Sequence, residues 1–224
     1  MQTLAIVSQK GGAGKTTLSF HLAVEAERQG LPCVLLDTDP QTSARRWADR
    51  RSGNVPEVVA APSSRLPQLI EAAAKGGAAL VVIDTPPYAD QSALQAMRAA
   101  DLVLVPVRPS ALDLDSIMAT LDLAEIARCP VLGVINHASH NGPSADEARS
   151  VMVKRGAQVA QQVIRQRVAL HHGVAAGLTA QEYEPDGKAA GEIAALFLEV
   201  VAQLRVVSEP ANRRTLQPAN TKAG

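Results

Sequence analysis

Aromatic residues are nearly missing from this chain of 224 residues, which has one Trp, two Tyr and two Phe. Its core must therefore be built from Ala, Val, Leu and Ile. Cysteine is equally scarce. Cys33 and Cys129 stand far apart, each at the edge of an apolar run, and neither belongs to a C-x-x-C pair. That leaves a zinc or iron–sulfur site without support and reads as two reduced, partly buried thiols of a cytoplasmic protein. Neither sign of charge is in excess, with 22 Lys and Arg against 22 Asp and Glu, so no global field announces a polyanionic partner. Long apolar runs are absent too: residues 80–83 and 102–107 are strand-sized, far short of a membrane span. The first residues run almost directly into a strand pattern, unlike a signal peptide. What remains, 46% hydrophobic and 20% charged, suits one substantial α/β domain of a soluble globular protein.

Against that plain background one run stands out: Gln9-Lys10-Gly11-Gly12-Ala13-Gly14-Lys15-Thr16-Thr17. It follows the apolar Leu4-Ala5-Ile6-Val7 and opens a helical pattern through Leu18, Leu22, Ala23 and Ala26. Strand, glycine loop and helix in that order form the context of a phosphate-binding loop. Glycines let backbone N–H groups turn inward around a polyphosphate, and the helix N-terminus adds partial positive charge. Lys15 is placed to reach the β- and γ-phosphates, and the Thr16 hydroxyl to ligate Mg²⁺. Two departures mark the loop. Gln9 stands where G-x-x-x-x-G-K-[ST] has its first glycine, and a second lysine, Lys10, follows it. Chemistry alone leaves Lys10 open between a functional cation and an ordinary surface charge.

Short β-rich runs alternate with longer helical ones along the rest of the chain. That is the signature of an α/β fold with a doubly wound, mostly parallel β-sheet flanked by helices. Strands are expected at 4–7, 33–36, 80–83, 102–107 and 131–135, with weaker ones at 158–159 and near Leu178. Helices are expected at 16–29, 66–75, 92–99, 116–128, 145–155 and 168–176. A last one, 189–206, carries an apolar stripe of Ile193, Leu196, Phe197, Val200 and Leu204. Residues 1–207 read as a single domain. Residues 208–224 lack periodicity and contain two prolines, so they read as a disordered tail without the apolar face of a membrane-binding helix.

Three further segments fall at strand C-terminal ends, where open α/β sheets bind ligands. Asp37-Thr38-Asp39-Pro40-Gln41 offers two carboxylates that could cap a helix or orient water and Mg²⁺. Asp84 follows Leu80-Val81-Val82-Ile83, four apolar residues and an acid, the pattern whose carboxylate holds Mg²⁺ in nucleotide hydrolases. Asn136 follows the strand at 131–135 and could meet an adenine edge or form a turn. A basic stretch with Arg149, Lys154, Arg155, Arg165 and Arg167 is either a solvated face or a nucleic-acid contact. Together the residues support hydrolysis of a nucleoside triphosphate, with Asp39 positioning the attacking water.

The run from Lys10 to Thr17, with Asp37-Thr38-Asp39-Pro40-Gln41, Val82-Ile83-Asp84-Thr85-Pro86-Pro87, Val105-Pro106-Val107-Arg108-Pro109-Ser110 and the segment from Glu184 to Glu192, resembles the ParA/MinD family of deviant Walker A P-loop ATPases. The likeness covers roughly residues 1–206 and, within the family, lies nearest the short ParF-like partition ATPases. It implies ATP and ADP as nucleotides, with Mg²⁺. It implies that Lys10 crosses to a partner's nucleotide in an ATP-sandwich homodimer, which makes Lys10, Lys15 and Asp39 the catalytic residues. Lys10, Gly11, Gly12, Ala13, Gly14, Lys15, Thr16, Thr17 and Asn136 would bind nucleotide; Thr16, Asp84 and Asp37 would serve the metal. The resemblance further implies non-specific DNA binding, with Lys154, Arg155, Arg165 and Arg167 in the region that carries it. It also implies stimulation by a centromere-binding ParB/ParG-like adaptor and a cytoplasmic, nucleoid-associated life. A positioner of non-DNA cargo would share this ATPase. A MinD-like regulator would need a membrane-binding segment, and a nitrogenase-reductase-like enzyme would need cluster-ligating cysteines.

Overall fold

A computed structural model describes residues 1–88, 90–139 and 145–208 of the chain. Its elements run β1 (Gln2–Ile6), α1 (Lys15–Arg28), β2 (Cys33–Asp37), α2 (Ser43–Ala48), β3 (Glu57–Ala60), α3 (Leu66–Lys75), β4 (Leu80–Asp84), α4 (Asp90–Ala99), β5 (Leu102–Val107), α5 (Ala111–Ala127), β6 (Val131–Ile135), α6 (Ala145–Lys154), β7 (Gln158–Val159), α7 (Ala169–His172), α8 (Ala180–Tyr183) and α9 (Lys188–Ser208). The strands form one sheet in the order β3-β2-β4-β1-β5-β6-β7, and every pairing is parallel. The expected doubly wound architecture is therefore present.

Alternation along the strands divides the core into two apolar layers. Leu4 and Ile6 of β1, Leu35 of β2, Val82 of β4 and Leu104 of β5 face α1, α2 and the α7–α9 region. Ala5, Leu36, Ile83, Val103 and Val105 face α3, α4, α5 and α6. Both layers consist almost wholly of aliphatic side chains, as the composition required. Two of the five aromatics meet: Phe20 of α1 stacks on Trp47 of α2 with centroids 4.6 Å apart, and the Arg51 guanidinium lies 4.6 Å from the Trp47 ring.

Several local expectations are corrected. Strand β3 and helices α2 and α8 are additional to the sequence reading. Leu178 is not in a strand: its N–H donates to Gly173 O in the turn that leads to α8. The single helix expected at 168–176 is instead α7 followed by a 3₁₀ turn over Gly173–Ala176. Helix α5 starts five residues early because Ser110 Oγ accepts from Asp113 N–H and caps it. Helix α9 runs to Ser208, so the expected tail reduces to 209–224, which lies outside the described residues.

Helix α1, which begins in the glycine loop, is locked to α8 by a buried histidine. His21 Nδ1–H donates to Thr17 O at 2.7 Å, and Nε2 accepts the Ala180 N–H at 3.0 Å. Gln181 Nε2 donates to His21 O beside it. An imidazolium could not accept from Ala180, and burial penalises its charge, so the His21 pKa falls from 6.5 to about 4. Because the unfolded chain takes up this proton first, the contribution of neutral His21 is complete above pH 6.5 and is lost as pH falls toward 4. The full effect is on the order of 3 kcal/mol. Replacing His21 with Gln should therefore lower unfolding free energy at pH 7.5, and the gap to the parent should narrow steadily as denaturation is repeated down to pH 4.5.

Candidate nucleotide site

The loop between β1 and α1 curls around the N-terminus of α1, and two positions in it demand glycine. Gly12 and Gly14 have φ of +74° and +91°. A Cβ on Gly14 would also lie 2.3 Å from Asn136 Nδ2, so the loop closes directly against the residue after β6. Asn136 is buried, and its Nδ2 donates to Ala13 O at 2.7 Å. That bond makes Asn136 a brace of the loop.

Lys15 is folded into the loop it serves. Its Nζ donates to Ser8 O at 3.1 Å and to Lys10 O at 3.4 Å. Desolvation lowers its pKa, opposed by the charges of Asp84 and Asp39. Nearby anionic oxygens would restore what burial removes. Lys10 differs: among the described residues its ammonium has no hydrogen-bond or ion-pair partner, and only its backbone takes part in the loop, through Lys10 N–H to Ser8 Oγ and Lys10 O.

Parallel register aligns the acidic strand ends. Asp84 ends β4 opposite Ile6 of β1 and opposite Asp37 of β2. The two carboxylates meet different fates. Asp37 Oδ1 accepts from Asp39 N–H at 3.1 Å and Oδ2 from Arg45 N–H at 3.0 Å, so it caps the start of α2. Asp84 accepts hydrogen bonds from Thr16 and from Ser19 Oγ, the latter at 3.1 Å, while its buried Oδ2 has no hydrogen-bond partner. Burial raises the Asp84 pKa to about 7. A fully buried carboxylate with a spare oxygen beside a threonine hydroxyl fits Mg²⁺, which takes few protein ligands and completes its shell with phosphate and water. Among the described residues no three His, Cys, Asp or Glu side chains gather as a metal cage. Of the three expected metal residues, then, Thr16 and Asp84 come together, and both oxygens of Asp37 are committed to backbone amides.

Asp39 stands at the rim, its Oδ1 accepting from Gln41 N–H at 2.8 Å. With Gly12, Gly14, Lys15, Thr16, Thr17, Pro87 and His137 it lines a cavity of about 350 Å³. Two residues at or beside this cavity were given no role by the sequence reading. His137 follows β6 and lines the cavity. Arg108 follows β5, reaches within 3.8 Å of a Cβ placed on Gly12, and pairs with Asp113 at 3.1 Å. Their positions after strand C-terminal ends were the available signal.

The four basic residues expected at a DNA surface do not form one open set. Arg167 makes a largely buried ion pair with Glu192 at 2.6 Å, and Arg155 donates to Leu114 O at 2.5 Å. Arg149 is likewise turned onto the carbonyls of Ala160 and Gln161. Their structural partners lie too far along the chain for local charge counting to find. Lys154 is exposed and Arg165 half-buried, and neither side chain has a polar partner among the described residues.

Comparison with known proteins places this geometry. A family model described as the CobQ/CobB/MinD/ParA nucleotide binding domain matches residues 4–180. The protein ParA of Rhizobium radiobacter is 38% identical over 116 residues, so the chain spans about half the length of that relative, and half of this chain is aligned. The maintenance of carboxysome distribution protein A of Gloeobacter kilaueensis is 32% identical over 210 residues, covering 91% of this chain and 94% of its own. The fold is shared with the septum site-determining protein MinD of Pyrococcus horikoshii, solved with Mg-ADP: TM-score 0.73 at 19% identity, covering 93% of this chain and 99% of that one. Among the described residues no helix is long and apolar enough to cross a membrane.

The raised Asp84 pKa has a measurable sign. A carboxyl with a folded pKa of about 7 stabilises the fold only while protonated, and that contribution is lost as pH rises through 7. Asp84→Asn cannot ionise. Its melting temperature without nucleotide should gain on the parent between pH 5 and pH 8, by the equivalent of about 2–4 kcal/mol. Mg²⁺ with ADP should raise the parent's melting temperature more than the variant's.

Proposed function

This chain belongs to the CobQ/CobB/MinD/ParA nucleotide-binding family, whose ParA and MinD members are ATPases, and we propose that it is a ParA-type partition ATPase that works as an ATP-bound dimer. In this reading the dimer holds DNA without sequence preference and hydrolyses ATP when a centromere-binding adaptor engages it, so that plasmid or chromosomal DNA is segregated. The observation that carries the proposal is Lys10, a cation with no side-chain partner among the described residues, beside a complete phosphate cradle that already has its own lysine. A second lysine left over by one site is what a shared site between two copies requires.

In this reading each site residue has a role. Backbone N–H groups from Gly11 to Thr17 and the start of α1 receive the phosphates, and Lys15 exchanges its two carbonyl partners for phosphate oxygens. Thr16 and Asp84 would hold Mg²⁺, which neutralises charge on the phosphoryl oxygens when bound. Asp39, at the cavity rim, orients the attacking water. Lys10 of one copy supplies the trans-acting cation to the other.

A second reading keeps this ATPase and changes its cargo. It is favoured by two relatives named for carboxysome distribution, at 32% and 30% identity, above the 26% and 28% of the chromosome-partitioning relatives aligned along a similar share of the chain. The first reading needs a DNA surface, and Lys154 and Arg165 are the basic residues best placed to meet it, since Arg167 and Arg155 serve internal contacts.

Two experiments test the proposal. Lys10→Ala should keep ADP binding but lose ATP-dependent dimerisation in light scattering, with turnover down at least about a hundredfold, the scale of a trans-acting cation. Unchanged turnover would refute the shared site. Binding of the ATP-bound protein to arbitrary duplex DNA should fall steeply with salt. Replacing Lys154 and Arg165 together with Glu should lower the log–log salt slope by about two. Salt-independent binding would refute an electrostatic DNA track.

A further inference from the structure

A second cavity lies at the other end of the sheet from the nucleotide site. It is lined by Pro32 and Ala78, just before β2 and β4, whereas the glycine loop, Asp39 and Asp84 sit where strands end. It measures about 340 Å³, inside the roughly 300–1,000 Å³ range of small-molecule sites. Alternation along the strands makes one wall: Val34 and Leu36 of β2 and Val59 of β3 point to the layer that contains α3. The cover on that side is incomplete. Toward the cavity α3 presents Ala72, Ala73 and Gly76, which have no side chain beyond Cβ. Val34, Val59 and Leu69 are left only partly buried, and Val55, on the way into β3, is 55% exposed.

Two carboxylates stand in this apolar setting. Glu57 is exposed and lies between Val55 and Val59 on the same side of the edge strand. Glu27 comes from α1, in the opposite layer, and reaches the start of β2, where its Oε1 accepts the Cys33 N–H at 2.6 Å. Among the described residues neither glutamate has an ion-pair partner, and neither Glu27 Oε2 nor the Glu57 carboxylate has a hydrogen-bond partner. An inward-pointing charge on an edge strand discourages pairing with another chain. That accounts for Glu57 but not for Glu27, which belongs to a helix. The combination selects a ligand. Two unpaired carboxylates repel an anion. Apolar walls do not suit a hydrated metal ion, and among the described residues no three metal-ligating side chains gather there. A protonated amine or guanidine on a short alkyl or aryl body satisfies both the walls and the charge.

We propose that the cavity between α3 and the β2–β3 edge binds a small amphiphilic organic cation, its apolar body against Val34, Val59 and Leu69 and its charge beside Glu27 and Glu57. The site is separate from the nucleotide reading and does not rest on it. The test titrates the full chain with hexylammonium, hexan-1-ol and hexanoate, which share one apolar body, and follows backbone amide shifts by NMR. Hexylammonium should shift the amides of Val34, Val59 and Leu69 and bind about tenfold more tightly than hexanoate. Glu27→Gln and Glu57→Gln should each weaken hexylammonium about two- to fivefold and leave hexan-1-ol within about twofold of the parent. Ala72→Phe, at an exposed helix position, should fill the cavity and abolish hexylammonium binding while the melting temperature stays that of the parent. Equal affinity for hexylammonium and hexanoate would overturn the proposal, as would shifts confined to other parts of the molecule. So would unchanged hexylammonium binding in a folded Ala72→Phe.

Discussion

Parallel hydrogen-bond register across β2, β4 and β1 decides where this protein buries charge, and the rest of the site is arranged around that decision. Register places Asp37 beside Asp84, and Asp84 beside the strand that leads into the glycine loop. Two adjacent buried carboxylates repel, and each needs compensation. Asp37 finds it in the backbone amides at the start of α2. Asp84 takes hydroxyls from α1 and keeps one oxygen in reserve. The same geometry thus yields a helix cap and a metal-ready group, and explains why residues so alike in sequence context do different work.

Long periodic elements were legible because each carries its own signal. The glycine loop, the apolar strands and the stripe of α9 could be read from neighbouring residues alone, and so could Asp84 at a strand tip. What escaped depends on partners distant in sequence. Helix α2 has no side-chain cap of its own, since Thr42 makes no capping bond; its amides are met by Asp37. The short α8 does have a local capping box, Thr179 with Glu182, but is only four residues long. It is held in place by Arg51, which pairs with Glu182 across 131 positions of chain. Strand β3 is four residues at a sheet edge, too short for alternation to show.

The same limit applies to the basic stretch. Counting Arg155 and Arg167 as surface charge treats them as local, whereas Leu114 O and Glu192 have already claimed them. His137 was passed over for the opposite reason. A lone histidine in a turn carries no pattern, and its place at the cavity comes only from the strand order that sets it across the loop from Asp39.

The strand order also bears on how the chain is made. β1 lies at the middle of the sheet, yet its neighbours are β4 and β5, which begin at Leu80 and Leu102. At ribosomal speeds of about 5–20 residues per second, β4 arrives roughly 4–15 s and β5 roughly 5–20 s after β1 has emerged. Until β4 arrives an apolar strand with both edges open trails from the ribosome. The strand that leads into the glycine loop is thus synthesised well before the strands that flank it, and the loop takes its shape only after they arrive. How long that strand stays uncovered is therefore set by translation rate, not by the stability of the finished fold.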